Sequence, residues 1–310
     1  MVDDCIIEGT DETMRKLVED TLKARFNNIK VFDKVETFIG LQLEYTNTHI
    51  KIHQEDYIKK ILKRFGLENC KHASTPAVFN PQGDDSPLPP GNKYREIVGS
   101  LIYLMATRID ICSTVTYLSR FCESPTHLHM QMAKRVLRYL AGTAKEGINY
   151  PRNIKNYQVT CFSDSDWAGC KETRKSVSGY VVYLGGAPIS WKSKTQVTVA
   201  LSSCEAEYVA LTLAVKEILW LIQFFREVGV HLDTPVFVFC DNTAAISLAK
   251  DPVLHERTKH IDIKHHFLRE HVLEGKIKLT YVRTADNVAD ILTKATQPKI
   301  FHHLKPKLVY

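Results

Sequence analysis

No CxxC pair occurs in this 310-residue chain. Its eight cysteines stand singly, at 5, 70, 112, 122, 161, 170, 204 and 240. That spacing excludes a zinc ribbon and offers no disulfide framework, so single thiols in a reducing compartment are the expectation. Long apolar runs are missing too. No stretch approaches the roughly 18 uninterrupted apolar residues of a membrane span, so neither a spanning segment nor a membrane partner is expected. The first residues, MVDDCIIEGTDE, lack the basic start and apolar core of a secretion signal. A cytoplasmic or nuclear location, not a secreted one, is therefore expected. A large excess of one charge is also absent: 41 Lys+Arg face 35 Asp+Glu. The bias sits in one half, since residues 151–310 hold 21 basic and 16 acidic side chains and residues 1–150 hold 20 and 19. A weakly basic half suits a polyanionic partner without proving one.

What the chain does have is enough apolar material for two or three compact units, at 44% hydrophobic. Residues 11–26 place Met14, Leu17, Val18, Leu22 and Phe26 on one helical face. Residues 35–53 alternate like two strands joined through Asn47, and a helix over 54–65 is stopped by Gly66. Pro76, Pro81, Pro87, Pro89 and Pro90 mark a linker over 74–93. Residues 94–142 read as three helices: one before Thr107, one over 109–122 and one over 126–141. From about 155 the expected order is strand (158–163), strand (177–184), strand (187–192), strand (196–201), helix (203–228), strand (235–240), helix (242–249), helix (257–274), strand (277–283) and helix (287–294). A short helix from Pro298 follows. Gly185-Gly186 is a two-residue hairpin signal. The pattern predicts an α/β fold, an α+β-like mixed sheet covered by helices. Trp167 and Trp220 are expected in the core.

Acidic residues punctuate the second half at strand ends and helix starts. Asp164 or Asp166 closes the run VTCFS. Glu205 or Glu207 opens a long helix. Asp241 ends VFVFC, where it can also cap the next helix. Asp290, with Asp286 as its rival, lies near the start of the last helical stretch. Ser202-Ser203-Cys204-Glu205 reads as a capping box, which occupies Glu205 and leaves Glu207. Four carboxylates gathered at one point repel one another unless a cation lies between them, and hard oxygen donors suit Mg²⁺ or Mn²⁺.

Several segments in order, VDD (2–4), FIGLQLEY, YIKKILKRFGLENCKHASTPA, YREIVGSLIYL, LSRFCESPTHLHMQMAKRVLRYLAGT, SDSDWAGCKETRKSVSGYVVYLGGAPISWKSKTQVTVALSSCEAEYVAL, TKHIDIKHHFLRE and VRTADNVADILTK, span nearly the whole chain. Together they resemble the C-terminal part of the Pol polyprotein of copia-type LTR retrotransposons. The resemblance implies a truncated reverse-transcriptase palm end and thumb (1–73), the Pro-rich linker (74–93), a helical connection (94–150) and a ribonuclease H-like domain (155–310). It implies Asp164, Glu207, Asp241 and Asp290 as catalytic residues and as ligands of two Mg²⁺ or Mn²⁺ ions, without any small-molecule cofactor. It implies an RNA–DNA hybrid as partner, cut in its RNA strand, with one ion activating water and the other stabilising the leaving 3′-oxygen. Asp3 and Asp4 match the end of a polymerase motif whose partner strand would precede residue 1, so they are expected to be vestigial unless the missing upstream polymerase segment joins them. Ile109 stands where the family usually has Pro, which is expected to lengthen a helix. The loop VRTADNVAD lacks the His found there in many other ribonucleases H.

Arg174, Lys175, Trp191, Lys192 and Lys194 are candidates to grip nucleic-acid backbone. Ser202, Ser203 and Asn242 can donate to sugar hydroxyls, the feature that separates RNA from DNA. His260, Asp262, His265 and His266 resemble a metal cluster in composition. Only Asp262 and His266 have i,i+4 spacing, however, and a solvated or hybrid-facing helix is the expectation. A catalytically silent remnant and a fragment of a full RNA-directed DNA polymerase are the alternative readings.

Overall fold

The computed structural model describes residues 5–6, 11–26, 29–32, 34–152, 157–170, 173–250 and 259–310; for 259–265 it describes the backbone alone. Helix α1 (Glu12–Arg25) starts at Asp11, whose carboxylate accepts from the Thr13 and Met14 N–H groups at 2.8 and 3.2 Å. It leaves Met14, Leu17 and Val18 exposed and buries no residue. Strands β1 (Thr37–Phe38), β2 (Leu41–Tyr45) and β3 (His49–His53) form an antiparallel sheet. The alternation in 35–53 predicts β2 and β3. It does not predict β4 (Gly147–Pro151), which pairs with β3 from a hundred residues away, Ile50 opposite Tyr150 and Ile52 opposite Ile148. GINYP has no alternating pattern of its own, and only β3 makes it a strand.

Helix α2 (Glu55–Arg64) buries Ile58, Ile61 and Leu62 and ends at Gly66, whose φ of +67° suits glycine. Helices α3 (Tyr94–Leu104), α4 (Cys112–Ser119) and α5 (His127–Gly142) follow. Helix α5 opens with a capping box in which His129 takes the usual Glu position: Thr126 Oγ1 accepts from His129 N, and His129 Nδ1 accepts from Thr126 N. The helix expected over 109–122 is divided. Ile109–Ile111 forms a 3₁₀ turn and α4 starts only at Cys112, so losing a proline did not lengthen it. The Pro-rich stretch is fastened to the start of α5. Leu88 N–H donates to Pro125 O, and the His127 and Leu128 N–H groups donate to Ser86 O and Asp84 O, at 2.8–3.0 Å.

The second sheet has the order β7-β6-β5-β8-β9. Its strands are β5 (Gln158–Asp166), β6 (Val177–Leu184), β7 (Ala187–Thr195), β8 (Asp233–Cys240) and β9 (Ile277–Tyr281). The first three are antiparallel, while β8 runs parallel to β5 and β9 parallel to β8. Gly185 and Gly186, at φ +59° and +87°, make the hairpin turn. Helices α6 (Ser203–Glu227), α7 (Thr243–Lys250) and α8 (Lys259–Leu273) belong to this layer. Tyr208, Leu211, Val215 and Ile218 of α6 pack on Val159, Cys161, Val182 and Val238 of the sheet. By length and composition α6 is also long and apolar enough to cross a membrane, although charged and polar residues interrupt its apolar run. Its buried face is spent on this sheet.

The other face of the sheet shares one core with the connection helices. Val181 and Tyr183 pack there with Val288, Ile291 and Leu292. Phe301 and Leu304 of α9 (Pro298–Leu304), followed by Leu308, join Leu101, Val115 and Leu137 in the same core. Three sequence expectations fail here. No strand forms over 196–201; Gln196 turns inward and its Nε2 donates to Ser178 Oγ and Ala206 O, both at 2.9 Å. The stretch 287–294 is a 3₁₀ turn, Val288–Leu292, in place of an α-helix. Trp167 and Trp220 are 49% and 57% exposed. The Trp167 indole donates to Ala200 O at 3.1 Å, and Trp220 stacks on Phe224 along the outer side of α6.

Candidate active site

Strand β5 carries Asp164 to the end of the sheet, and β8 stops one residue before Asp241. Because β5 and β8 are parallel neighbours, both residues reach the same edge. Helix α6 starts at Ser202, whose Oγ accepts from Glu205 N at 3.1 Å, while Glu205 Oε2 accepts from Leu201 N at 2.7 Å. The cap consumes Glu205. Glu207, two residues on, faces the sheet, and its Oε1 accepts from Ser165 N at 3.1 Å. Helix α7 is capped by Asn242, whose Oδ1 accepts from Ala245 N at 3.0 Å, so Asp241 does not serve as the cap. The 3₁₀ turn brings Asp290 in from the opposite face. Gly179, paired with Asp164 across β6, makes that approach possible, since a Cβ there would meet Leu292 Cβ and Thr293 Cγ2 at 2.8 Å.

Asp164, Glu207 and Asp290 are all buried. Asp164 is held by Thr293 Oγ1, which donates to its Oδ2 at 2.5 Å, and by Asn287 Nδ2, which donates to its Oδ1 at 3.4 Å and to Ser163 O at 3.0 Å. Ligand atoms of Glu207, Cys240 and Asp241 lie within 4.8 Å of one another. Burial, then the neighbouring Asp164 and Asp241 carboxylates, push the Glu207 carboxyl up to about 9. Burial raises Asp164 to about 7; Asp290 and Asp241 add to the rise, and Lys294 opposes it. Asp290 is raised by burial and by Asp241, against the pull of Lys294, whose Nζ lies 2.6 Å from Asp290 Oδ1. Asp166, on the same face as Asp164, is half-buried and feels Lys294 and Asp290. Asp286 instead pairs with Arg283 and His303 at the surface.

These pairwise repulsions mark a common centre that, among the described residues, is short of positive charge. The donor set is four carboxylates with one thiol, Cys240, behind Glu207 at 3.8 Å. It fits hard divalent ions.

The chain belongs to the Pol polyprotein family of copia-type retrotransposons. Residues 1–79 match the family model for reverse transcriptase (RNA-dependent DNA polymerase). The retrovirus-related Pol polyprotein from transposon RE1 of Arabidopsis thaliana is 38% identical over 310 residues, covering 99% of this chain and 21% of the relative. The chain thus spans about a fifth of that polyprotein. An uncharacterized mitochondrial protein of the same plant is 37% identical over 221 residues, 91% of its length. Among solved structures, the N-terminal RNase H domain of a Mycobacterium tuberculosis protein matches 49% of this chain and 98% of its own, at 13% identity and a TM-score of 0.33.

The remaining candidates divide. Lys192 and Lys194 are exposed on β7, and Lys194 lies opposite Ser178, next to the Gly179–Asp164 register. Two strand spacings put it about 10 Å from β5. Arg174 is exposed and Lys175 partly so, in a loop closed by the Arg174 N–H bond to Cys170 O. Ser203 is exposed one helical turn before Glu207, while the Asn242 side-chain oxygen is taken by its cap. Trp191 does not stand with the two lysines. Strand alternation turns it to the opposite face, where its indole N–H donates to Met105 O at 3.0 Å and its ring packs in the shared core. Asp3 and Asp4, and the side chains of His260, Asp262 and His265, lie outside the described residues; His266 is exposed on α8. Sequence reasoning missed Asn287, Thr293 and Lys294. All three lie within four residues of Asp290, in the stretch it treated as an ordinary helix.

Proposed function

We propose that this chain is a ribonuclease H-type endonuclease that hydrolyses the RNA strand of RNA–DNA hybrids. The observation that carries this reading is the convergence of Asp164, Glu207, Asp241 and Asp290 from β5, α6, the end of β8 and the 3₁₀ turn onto one edge of a mixed five-stranded sheet. These four residues would hold two Mg²⁺ or Mn²⁺ ions. When bound, such ions supply charge stabilisation for the in-line attack of water on a phosphodiester. The protein supplies the preorganisation. Thr293 and Asn287 fix both oxygens of Asp164, and the Ser165 N–H fixes one oxygen of Glu207. The carboxylates are thereby set before substrate arrives.

The exposed lysines on β7 lie on the same sheet, where they can take phosphates of a duplex laid across its edge, and Ser203 can meet a 2′-hydroxyl. Contacts to backbone give little sequence preference. The expected products carry 5′-phosphate and 3′-hydroxyl ends.

The test uses a labelled RNA–DNA hybrid with Mg²⁺ or Mn²⁺, the full chain and its Asp241→Asn variant. Cutting of the RNA strand by the first and not the second supports the reading. Folded protein that binds hybrid and cuts nothing sinks it, in favour of a silent remnant. The match of residues 1–79 to reverse transcriptase favours a second reading, part of an RNA-directed DNA polymerase. Primer extension on an RNA template, by this chain or by a longer polyprotein containing it, separates the two.

A further inference from the structure

The carboxylate cluster is not uniform. At one end Lys294 lies 2.6 Å from Asp290, and its charge also acts on Asp164 and Asp166. At the other end Glu207 Oε1 accepts from the neutral Ser165 N–H at 3.1 Å and its Oε2 lies 3.8 Å from the Cys240 thiol, with Asp164 and Asp241 adding repulsion. Among the described residues, one end is countercharged by the protein itself and the other is not. The lysine is built into this position. Asp290 lies in the 3₁₀ turn and Lys294 follows four residues on, after Thr293, which is tied to Asp164. The Lys294 side chain is 38% exposed while that of Asp290 is 5% exposed. The ammonium can therefore swing into water, while the carboxylate cannot.

We propose that Lys294 serves as a resident counter-ion, standing in for one of the two divalent ions in the metal-free protein and making the two metal positions unequal. This rests on the ribonuclease H reading of the four carboxylates. The first ion goes to the Glu207–Asp241 end, where none of the described residues supplies a competing cation. The second binds only as Lys294 leaves Asp290, so it binds more weakly by the energy of that ion pair. Lys294 is a positioning residue in this scheme. It shapes the cluster through Asp290 and Asp164 and touches no substrate. The scheme makes double occupancy depend on ion concentration, and so on whatever else, such as a bound phosphodiester, pulls the second ion in.

The experiment is calorimetric titration of the full chain with Mn²⁺ alone, in wild type, Lys294→Met and Lys294→Arg, beside thermal melts in chelator. The expected wild-type result is one tight and one weak step. Lys294→Met should tighten the weak step by about tenfold, as expected from removing one nearby charge, while its metal-free form melts lower. Lys294→Arg should restore both wild-type values, which a general packing defect would not allow. Equal second-step affinities in wild type and Lys294→Met overturn the inference while leaving the site intact. Absence of any Mn²⁺ binding by folded wild type overturns the ribonuclease H reading itself.

Discussion

Two buried clusters of charge lie in this molecule, and they behave in opposite ways. In the connection helices, Arg108 is fully buried and forks onto Asp110, with Nε and Nη2 donating at 3.0 and 2.8 Å. Tyr139 donates to the same carboxylate, and Arg108 also donates to Thr143 O and Oγ1. Lys305, just after α9, pairs with Glu146 beside it. Burial alone would raise Asp110; Arg108 and Tyr139 hold it below its ordinary value instead. In the carboxylate cluster burial is similar, yet Asp164, Glu207 and Asp290 are all pushed up. The difference is completeness. The first cluster carries its own counter-charges and donors and tethers the C-terminal residues to the connection. Among the described residues the second gathers Asp164, Asp166, Glu207, Asp241 and Asp290 around a single lysine, and a deficit of positive charge kept in a buried site marks a place built to take up cations.

The same change made in both clusters should have opposite consequences. Asp164→Asn should lower hybrid cleavage by about a thousandfold, roughly 4 kcal/mol of transition-state stabilisation. In chelator the same variant should melt no lower than wild type, because it removes a repelling charge. Asp110→Asn should do the reverse, melting lower and leaving the turnover of the folded fraction nearly unchanged. Cleavage and melting curves on both variants check this, and a destabilised Asp164→Asn in chelator would break the contrast.

Next in size is Arg108→Met. It leaves Asp110 and Tyr139 buried without their cation, and breaking such a pair costs roughly 3–5 kcal/mol. Urea unfolding should show that loss. Because Phe301, Leu304 and Leu308 share a core with the connection helices, the α9 region should lose its protection from hydrogen exchange in the same variant.

The pH dependence should also separate the clusters. Glu207 and Asp164 have raised pKa values, so between their unfolded values and about 9 the folded protein binds more protons than the unfolded chain. The contribution of Glu207 and Asp164 to stability in chelator is therefore full at acid pH and falls as pH rises from about 4 towards 9. Asp110 has the opposite sign, and its contribution is lost only as acid protonates it. Melting temperature against pH, with chelator and then with Mg²⁺, should show a downward slope that Mg²⁺ flattens. A slope unchanged by Mg²⁺ would deny that the raised acids face the ions.

The five strands of the second sheet and the α6 cap are legible in the sequence because they rest on local signals, whereas the set of four acids comes from the family resemblance. VTCFS, VSGYVVYL and VFVFC are strands by composition, Gly185-Gly186 is a turn by conformation, and Ser202 with Glu205 is a cap by spacing. The choice of Glu207 over Glu205 follows from that cap. What the sequence hides is long-range. GINYP becomes a strand only beside β3, and Trp191 looks like a surface anchor until the connection helices cover it. The VTVAL stretch has strand propensity, but Gln196, turned inward, and the α6 cap decide its course. Lys294 escaped notice because an acid and a lysine four residues apart in a helical stretch read as an ordinary surface pair, and only the fold buries this one beside Asp164.

Lys192 and Lys194 are exposed, alternate with Trp191 along β7, and share none of its buried contacts. Lys192→Ala and Lys194→Ala should leave melting temperature and Mn²⁺ binding as they are. If each lysine neutralises one phosphate, each substitution should weaken hybrid binding about equally across sequences and reduce the salt slope of log K by about 1. Fluorescence anisotropy of a labelled hybrid over a series of salt concentrations reads both quantities. Lys194, one register step from the Asp164 row, should matter more for cleavage than Lys192. A contact close to the scissile position fixes register as well as affinity. Equal losses of cleavage in the two variants would mean that the duplex crosses the sheet elsewhere, and that β7 supplies attraction without alignment.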